Sequence, residues 1–143
     1  APFVRQMADT VMRSATTRGY IKTLLGRRCH FDMWEPRQYG TGRPMKHKEA
    51  MHEYNGDIKR AFVYKALNKL IQGSAADMTK KAMLDCYNAS YRPLLQVHDE
   101  LVFSVSDKKE VEGIVKTMEK AVLLEVPNKV DAEIGENWGD SMS

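Results

Sequence analysis

The chain has 143 residues, enough for one compact domain with a modest core. Hydrophobic residues make up 43% and charged residues 29%, which is ordinary for a globular chain and excludes the composition of a disordered one. The net charge of +3 identifies no partner, and no apolar run reaches the roughly 20 residues that span a bilayer.

Pro2 suits the first position of a helix. Val4, Met7, Ala8, Val11 and Ala15 follow at helical spacing, and Gly19 ends the run. Its regular charges and lack of an apolar centre exclude a signal peptide. Tyr20–Leu25 and Cys29–Phe31 flank Gly26, Arg27 and Arg28, which predicts a tight hairpin with a basic tip. From Asp32 to Gly56 the pattern breaks down, and Pro36, Gly40, Gly42 and Pro44 predict an irregular, basic excursion. A helical region is expected from near Asp57, with short interruptions, to about Ser90, with Ile71, Ala75, Met78, Ala82 and Cys86 as its buried stripe. Gly73, Ala75 and Ala76 are small enough for a close approach there.

After Pro93 come two strand-like runs, Leu94–Val97 and Leu101–Val105, with His98, Asp99 and Glu100 as the turn. Asp107 and Glu110 have the spacing of a capping box for a helix whose apolar face is Ile114, Val115, Met118 and Val122. Lys129–Ile134 reads as a last short strand, and Gly135–Ser143 as a tail with Trp138 as its anchor. Together these elements predict an α+β fold with an antiparallel sheet and its hairpin packed against helices.

Charge is distributed unevenly. Between Arg18 and Lys48, eight Lys and Arg stand against Asp32 and Glu35, a balance of about +6. From Asp99 onward, five Lys stand against eleven Asp and Glu, about −6. The first segment is fit to meet phosphate; the second is fit to stay solvated or to hold a cation. Cys29 and Cys86 lack CxxC spacing and read as free thiols of a reducing compartment, the cytoplasm. His30, His47 and His52 with Cys29 match no closed zinc ligand set.

The most informative segment is Gln96-Val97-His98-Asp99-Glu100-Leu101. A carboxylate held on a rigid hairpin suits Mg²⁺, which takes one or two protein carboxylates and leaves positions for phosphates and water. A solvated acidic turn is the plain alternative. This segment resembles motif C of the family A DNA polymerases, the group of bacterial polymerase I and many phage replicases. Asn68–Asp77 resembles the family's helix before motif C. Gly19–Arg28 resembles its Gly-Arg-Arg hairpin, and Gly135–Trp138 its C-terminal end. All four stand in family order and together span almost the whole chain.

The resemblance implies a palm-type sheet and a role for each matching residue. Asp99 would be the motif C metal ligand and Glu100 an auxiliary acid beside it. His98 would approach the primer terminus, or be a structural histidine. Asn68 and Gln72, four apart on one helix face, would follow the minor groove of a primer–template duplex. Gln96 would also lie near the duplex. Arg27 and Arg28 suit phosphate oxygens, with a solvated tip as the alternative. The stretch Arg37–Lys48 either extends that track or is a loop expected to stay mobile until DNA binds. Tyr64 stands where the family often has an arginine, and residues 34–57 are longer and more basic than in many bacterial members, which looks phage-like.

Motif A, motif B, the thumb and any exonuclease domain are absent from these residues. The chain is therefore expected to be distal fingers and palm, completing a two-Mg²⁺ site with another polypeptide or with a preceding part of its own. Its partners would be primer–template DNA, a deoxynucleoside triphosphate and that N-terminal remainder. The alternative is a non-catalytic duplex-DNA-binding module derived from a polymerase.

Overall fold

The computed structural model describes residues 2–38, 40 and 42–142. Tyr39 and Thr41 of the expected excursion, and Ser143 of the tail, lie outside the described residues. The described chain forms two compact units divided between Ser74 and Ala75.

The first unit opens with helix α1, Pro2–Arg18. Gly19 ends it at φ +76°, a conformation that costs glycine little and other residues much. The guanidinium of Arg60 fills the space a Cβ at Gly19 would need. It donates to the carbonyls of Thr16 (3.2 Å) and Phe31 (2.9 Å), so a cation satisfies a carbonyl in the last turn of the helix. Strands β1, Tyr20–Lys22, and β2, Arg28–His30, then pair antiparallel as the expected hairpin. Its inner residue Ile21 joins Ala15, Phe31 and Ala66 in a core, with Val11, Met12, Cys29, Val63 and Leu70 against it. Burying Ile21 and Phe31 contributes about 1.5–3 kcal/mol each.

Parts of the stretch expected to be irregular form regular elements. Strand β3, Met33–Pro36, lies between β4, Met45–Lys46, and β5, Ile58–Arg60, in an antiparallel sheet, and helix α2, His47–Glu53, follows β4. Side-chain contacts brace these elements. Trp34 meets His47 edge-on at 4.8 Å, Arg60 stacks 4.5 Å over Trp34, and the Tyr54 hydroxyl bonds both backbone groups of Arg43. The helix expected from Asp57 is corrected: β5 occupies 58–60, and a one-turn 3₁₀ helix, Val63–Lys65, precedes helix α3, Ala66–Asn88.

The N-terminal half of α3 turns Ala66, Leu70 and Gly73 inward, a stripe at helical spacing. A Cβ at Gly73 would stand 3.0 Å from Thr23 and 3.3 Å from Arg27, so the small residue admits the hairpin, as expected. The predicted stripe is displaced by one position as a result. Ile71 is 54% exposed and Ala75 is exposed, while Ala82 and Cys86 are buried as predicted.

In the second unit α3 continues to Asn88. Strands β6, Pro93–Val97, and β7, Glu100–Phe103, form an antiparallel hairpin with an irregularity between Pro93 and Leu95. Helix α4, Lys108–Lys120, is capped by Asp107, whose carboxylate accepts from the Glu110 amide at 2.9 Å. Glu110 accepts in return from the Ser106 amide (2.7 Å), one residue earlier than in the standard box. Ile114 and Val122 are buried, and Val115 and Met118 half-buried. Gly113 admits Tyr91, whose hydroxyl would overlap any Cβ there. The expected strand Lys129–Ile134 is not formed. The Val130 amide donates to Glu119 instead of to a strand partner, and Ile134 is 61% exposed. Trp138, expected to be an anchor, is 43% exposed. The fold is α+β, and among the described residues every strand pairing is antiparallel, divided among three small sheets.

Candidate active site

The tip of the β6–β7 hairpin is a two-residue turn. Val97 pairs with Glu100, leaving His98 and Asp99 between them. His98 has φ +53° and Asp99 has no positive φ, the φ pattern of a type II′ turn, which fits the twist of a hairpin. Glycine is the usual residue at that first position, so a histidine there carries local strain. Gln96 braces the turn by donating from Nε2 to the His98 carbonyl (3.2 Å).

His98, Asp99 and Glu100 are all exposed, and neither carboxylate makes a hydrogen bond or ion pair among the described residues. The tip therefore presents two adjacent carboxylates with their oxygens free to take a cation. Among the described residues, no three His, Cys, Asp or Glu stand close enough to hold a metal ion. An exposed carboxylate pair of this kind fits a hard cation such as Mg²⁺, which accepts a partial protein shell. The strand behind the tip is apolar in sequence, yet Leu94 is 61% and Leu95 44% exposed. An exposed pair of leucines on a two-stranded sheet is apolar surface left open among the described residues.

Asn68 and Gln72 lie one helical turn apart on α3 and are both exposed. They stand away from the inward stripe of Ala66, Leu70 and Gly73, which fixes their face toward solvent in the first unit. Arg27 and Arg28, adjacent in sequence, are put to different uses. Arg27 donates from Nη2 to the Gly73 carbonyl (3.1 Å) and approaches the Cys29 sulfur, tying the hairpin to α3. Arg28 projects from the other face, its guanidinium 4.7 Å over the Tyr20 ring. Tyr20, Lys22 and His30 share Arg28's face and were not singled out, though strand alternation alone assigns them to it.

A cavity of 850 Å³ in the first unit is lined by Arg43, Lys48, Glu49, His52, Glu53 and Tyr54 among others. Its walls carry both signs of charge; Arg43 and Lys48 of the basic stretch line it, and none of Arg27, Arg28, Asn68, Gln72, Gln96, His98, Asp99 or Glu100 does. No described helix is long and apolar enough to cross a membrane.

The model of DNA polymerase family A matches residues 1–140. The chain belongs to that family. It is 40% identical over 141 residues to a DNA-directed DNA polymerase of Pseudomonas phage M6, covering 99% of this chain and 18% of the phage protein. It is 36% identical over 151 residues to DNA polymerase I of Geobacillus stearothermophilus, covering 98% of this chain and 15% of that enzyme. Among solved structures, the POL domain of Pol1 from M. smegmatis, in complex with DNA primer-template and dNTP, superimposes with a TM-score of 0.69 at 32% identity. That match covers 98% of this chain and 23% of the other. The chain thus spans less than a fifth of the length of the curated polymerases it matches. The α+β fold with its palm-type antiparallel hairpin is the fold of a family A polymerase C-terminal portion.

Proposed function

We propose that this chain is the C-terminal catalytic part of a DNA-directed DNA polymerase, acting on primer–template DNA and deoxynucleoside triphosphates. The observation that carries the reading is Asp99: an exposed, unpaired carboxylate at a braced two-residue turn, within a chain that matches the polymerase family from end to end. Asp99 would hold Mg²⁺ together with a carboxylate from the preceding part of the polymerase, whether on the same or another polypeptide. When bound, two such ions lower the pKa of an attacking hydroxyl and offset charge on the phosphates.

The chain's own residues supply position and electrostatics. The hairpin fixes the Asp99 backbone, so its carboxylate meets a cation without first being ordered. Glu100 adds a second negative charge beside it and favours divalent over monovalent cations. His98, held at the turn by its own carbonyl's bond to Gln96, would present its ring to the primer terminus. Asn68 and Gln72 would offer amide donors to the acceptors that every base pair shows in the minor groove, checking pair shape without reading sequence.

The test is primer extension with Mg²⁺, using this chain alone and then with the N-terminal part of a related polymerase. Extension is expected only in the mixture. Asp99→Ala should abolish turnover, a loss of at least about 10³-fold, while leaving primer–template affinity within about twofold. A variant that keeps most of its activity would remove Asp99 from the site. Mg²⁺-independent duplex binding without extension in the mixture would leave a binding module instead.

A further inference from the structure

Three segments of the first unit meet at Arg60. The residue is half-buried, and among the described residues it forms no ion pair. Its guanidinium donates from Nε to the Thr16 carbonyl in the last turn of α1 (3.2 Å) and from Nη1 to the Phe31 carbonyl just past β2 (2.9 Å). Its flat face rests 4.5 Å over the ring of Trp34, the residue paired with it across β3 and β5. Glycine at position 19 leaves the room, since a Cβ there would stand 2.8 Å from the guanidinium carbon. A rigid planar fork can meet two carbonyls and an aromatic face at once, and an ammonium cannot. With no acid beside it, this cation serves as a geometric tie. It holds the approach to α3. The Ala61 amide donates to the Met33 carbonyl (2.9 Å), and Phe62 then takes φ +62°. A bulky residue is strained in that region and persists there only where the chain on both sides is held. Downstream, Val63 packs against the core and Ala66 is part of it. Upstream, the ties are the Ala61 bond and Arg60. Helix α3 starts at Ala66, so the turn at Phe62 sets the place of its first two turns, which carry Asn68 and Gln72.

We propose that Arg60 is a positioning residue for nucleotide addition. By holding the strained turn at Phe62 it sets where Asn68 and Gln72 stand against a primer–template, and so how sharply a matched primer end is preferred over a mispaired one. Arg60 itself touches no substrate in this role. The role in extension rests on the polymerase reading; the tie rests on contacts within this chain. Misplacing a group that aligns substrate by about 1 Å can cost about 100-fold in rate, so a tie of this kind is enough to govern selectivity. Strand alternation supplies an internal control, because Glu35 and Lys59 pair on the face of the sheet opposite Trp34 and Arg60.

The experiment has two arms. In the chain alone, Arg60→Lys should speed hydrogen exchange at residues 70–73 by about tenfold or more and leave Lys108–Lys120 unchanged. In the mixture with the N-terminal part of a related polymerase, extension is measured from matched and from mispaired primer ends. Arg60→Lys should lower the ratio of the two kcat/KM values by about tenfold or more. Loss of folded protein lowers both values by one factor and cannot move their ratio, so the ratio separates positioning from stability. Arg60→Ala, where it folds, should narrow the ratio at least as far. Trp34→Phe keeps an aromatic face under the guanidinium and should keep the ratio, as should Glu35→Gln on the opposite face. In an Asn68→Ala, Gln72→Ala background, Arg60→Lys should narrow the ratio no further, because its effect passes through those amides. Unchanged exchange at residues 70–73 overturns the inference. So does a wild-type ratio in Arg60→Lys, or a further narrowing in the double-alanine background. The two readings fail separately. A wild-type mixture that does not extend removes the polymerase reading and the role in selectivity with it, whereas extension with a ratio indifferent to Arg60 removes this inference alone.

Discussion

Cys86 has no accessible surface, whereas Cys29 is half-buried beside the Arg27 guanidinium. Burial pushes the Cys86 thiol above its ordinary range, and the neighbouring Asp85 carboxylate adds to the shift by opposing a second negative charge. The thiolate is the reactive form, so the two cysteines should differ strongly in labelling. Cys29 should react with a thiol reagent in the folded chain at neutral pH, and Cys86 only after denaturant is added. Equal rates in the native chain would contradict the burial of Cys86. The linkage to stability has a definite sign. The folded-state pKa is raised, so the folded chain binds the proton more tightly than the unfolded one. The contribution of Cys86 is intact below the unfolded thiol value and declines as pH rises above it. The contrast between the two cysteines was only half legible. Cys86 stood on a predicted apolar stripe, but nothing in the local pattern marked Arg27 as a partner of Cys29, because the guanidinium's destination, Gly73, is 46 residues away.

Elements whose signals are local match their expectation. Helix α1 runs from its proline to its glycine, and the β6–β7 hairpin closes on the residues between its apolar runs. Helix α4 is the clearest case, since its start rests on Asp107 accepting from the Glu110 amide and Glu110 accepting from the Ser106 amide. Asp107→Ala should cost about 1 kcal/mol, with Asp107→Asn recovering most of it, as read by the urea midpoint. An alanine variant as stable as the parent would mean that α4 begins independently of its cap. Elements that depend on distant partners were not legible. Residues 32–56 look irregular because their prolines and glycines dominate any local window. Yet β3 is held by β4, whose paired residues lie 11 and 13 positions on, and by β5 more than twenty residues on, and braced by Trp34 against His47 and Arg60. The reverse error occurred at Lys129–Ile134, where alternating residues resemble a strand. Among the described residues no strand edge pairs with them, and the Val130 amide is tied to Glu119. At the candidate site, the place of Asp99 in the turn followed from the hairpin pattern, whereas Glu100, expected in the turn, opens β7 in register with Val97. The division of labour between Arg27 and Arg28 did not, because it depends on which face the register assigns to each.

The distribution of apolar surface bears on how the whole molecule works. Phe3 is 70% exposed on α1, and a cavity of 420 Å³ runs along that helix between Phe3, Gln6, Met7, Thr10 and Val11. In the second unit Leu84, Tyr87, Leu94 and Leu95 are also exposed, and β6 and β7 each have one unpaired edge among the described residues. A two-stranded sheet is marginal by itself in water. On the polymerase reading, the missing cover is the part of the enzyme that carries the second metal-binding carboxylate. Docking would pair a hairpin edge and bring that carboxylate toward Asp99 in the same step. Hydrogen exchange can test this coupling directly. Amides of Pro93–Phe103 that face an open edge should exchange rapidly in the isolated chain and slow by about tenfold or more when the N-terminal part of a related polymerase is added. Asp99→Ala should show the same protection while remaining inactive, because the substitution removes a ligand and not the sheet. If extension appears in the mixture but these amides stay unprotected, the added part completes the site without extending this sheet. If protection appears without extension, assembly occurs but Asp99 is not brought to its partner carboxylate.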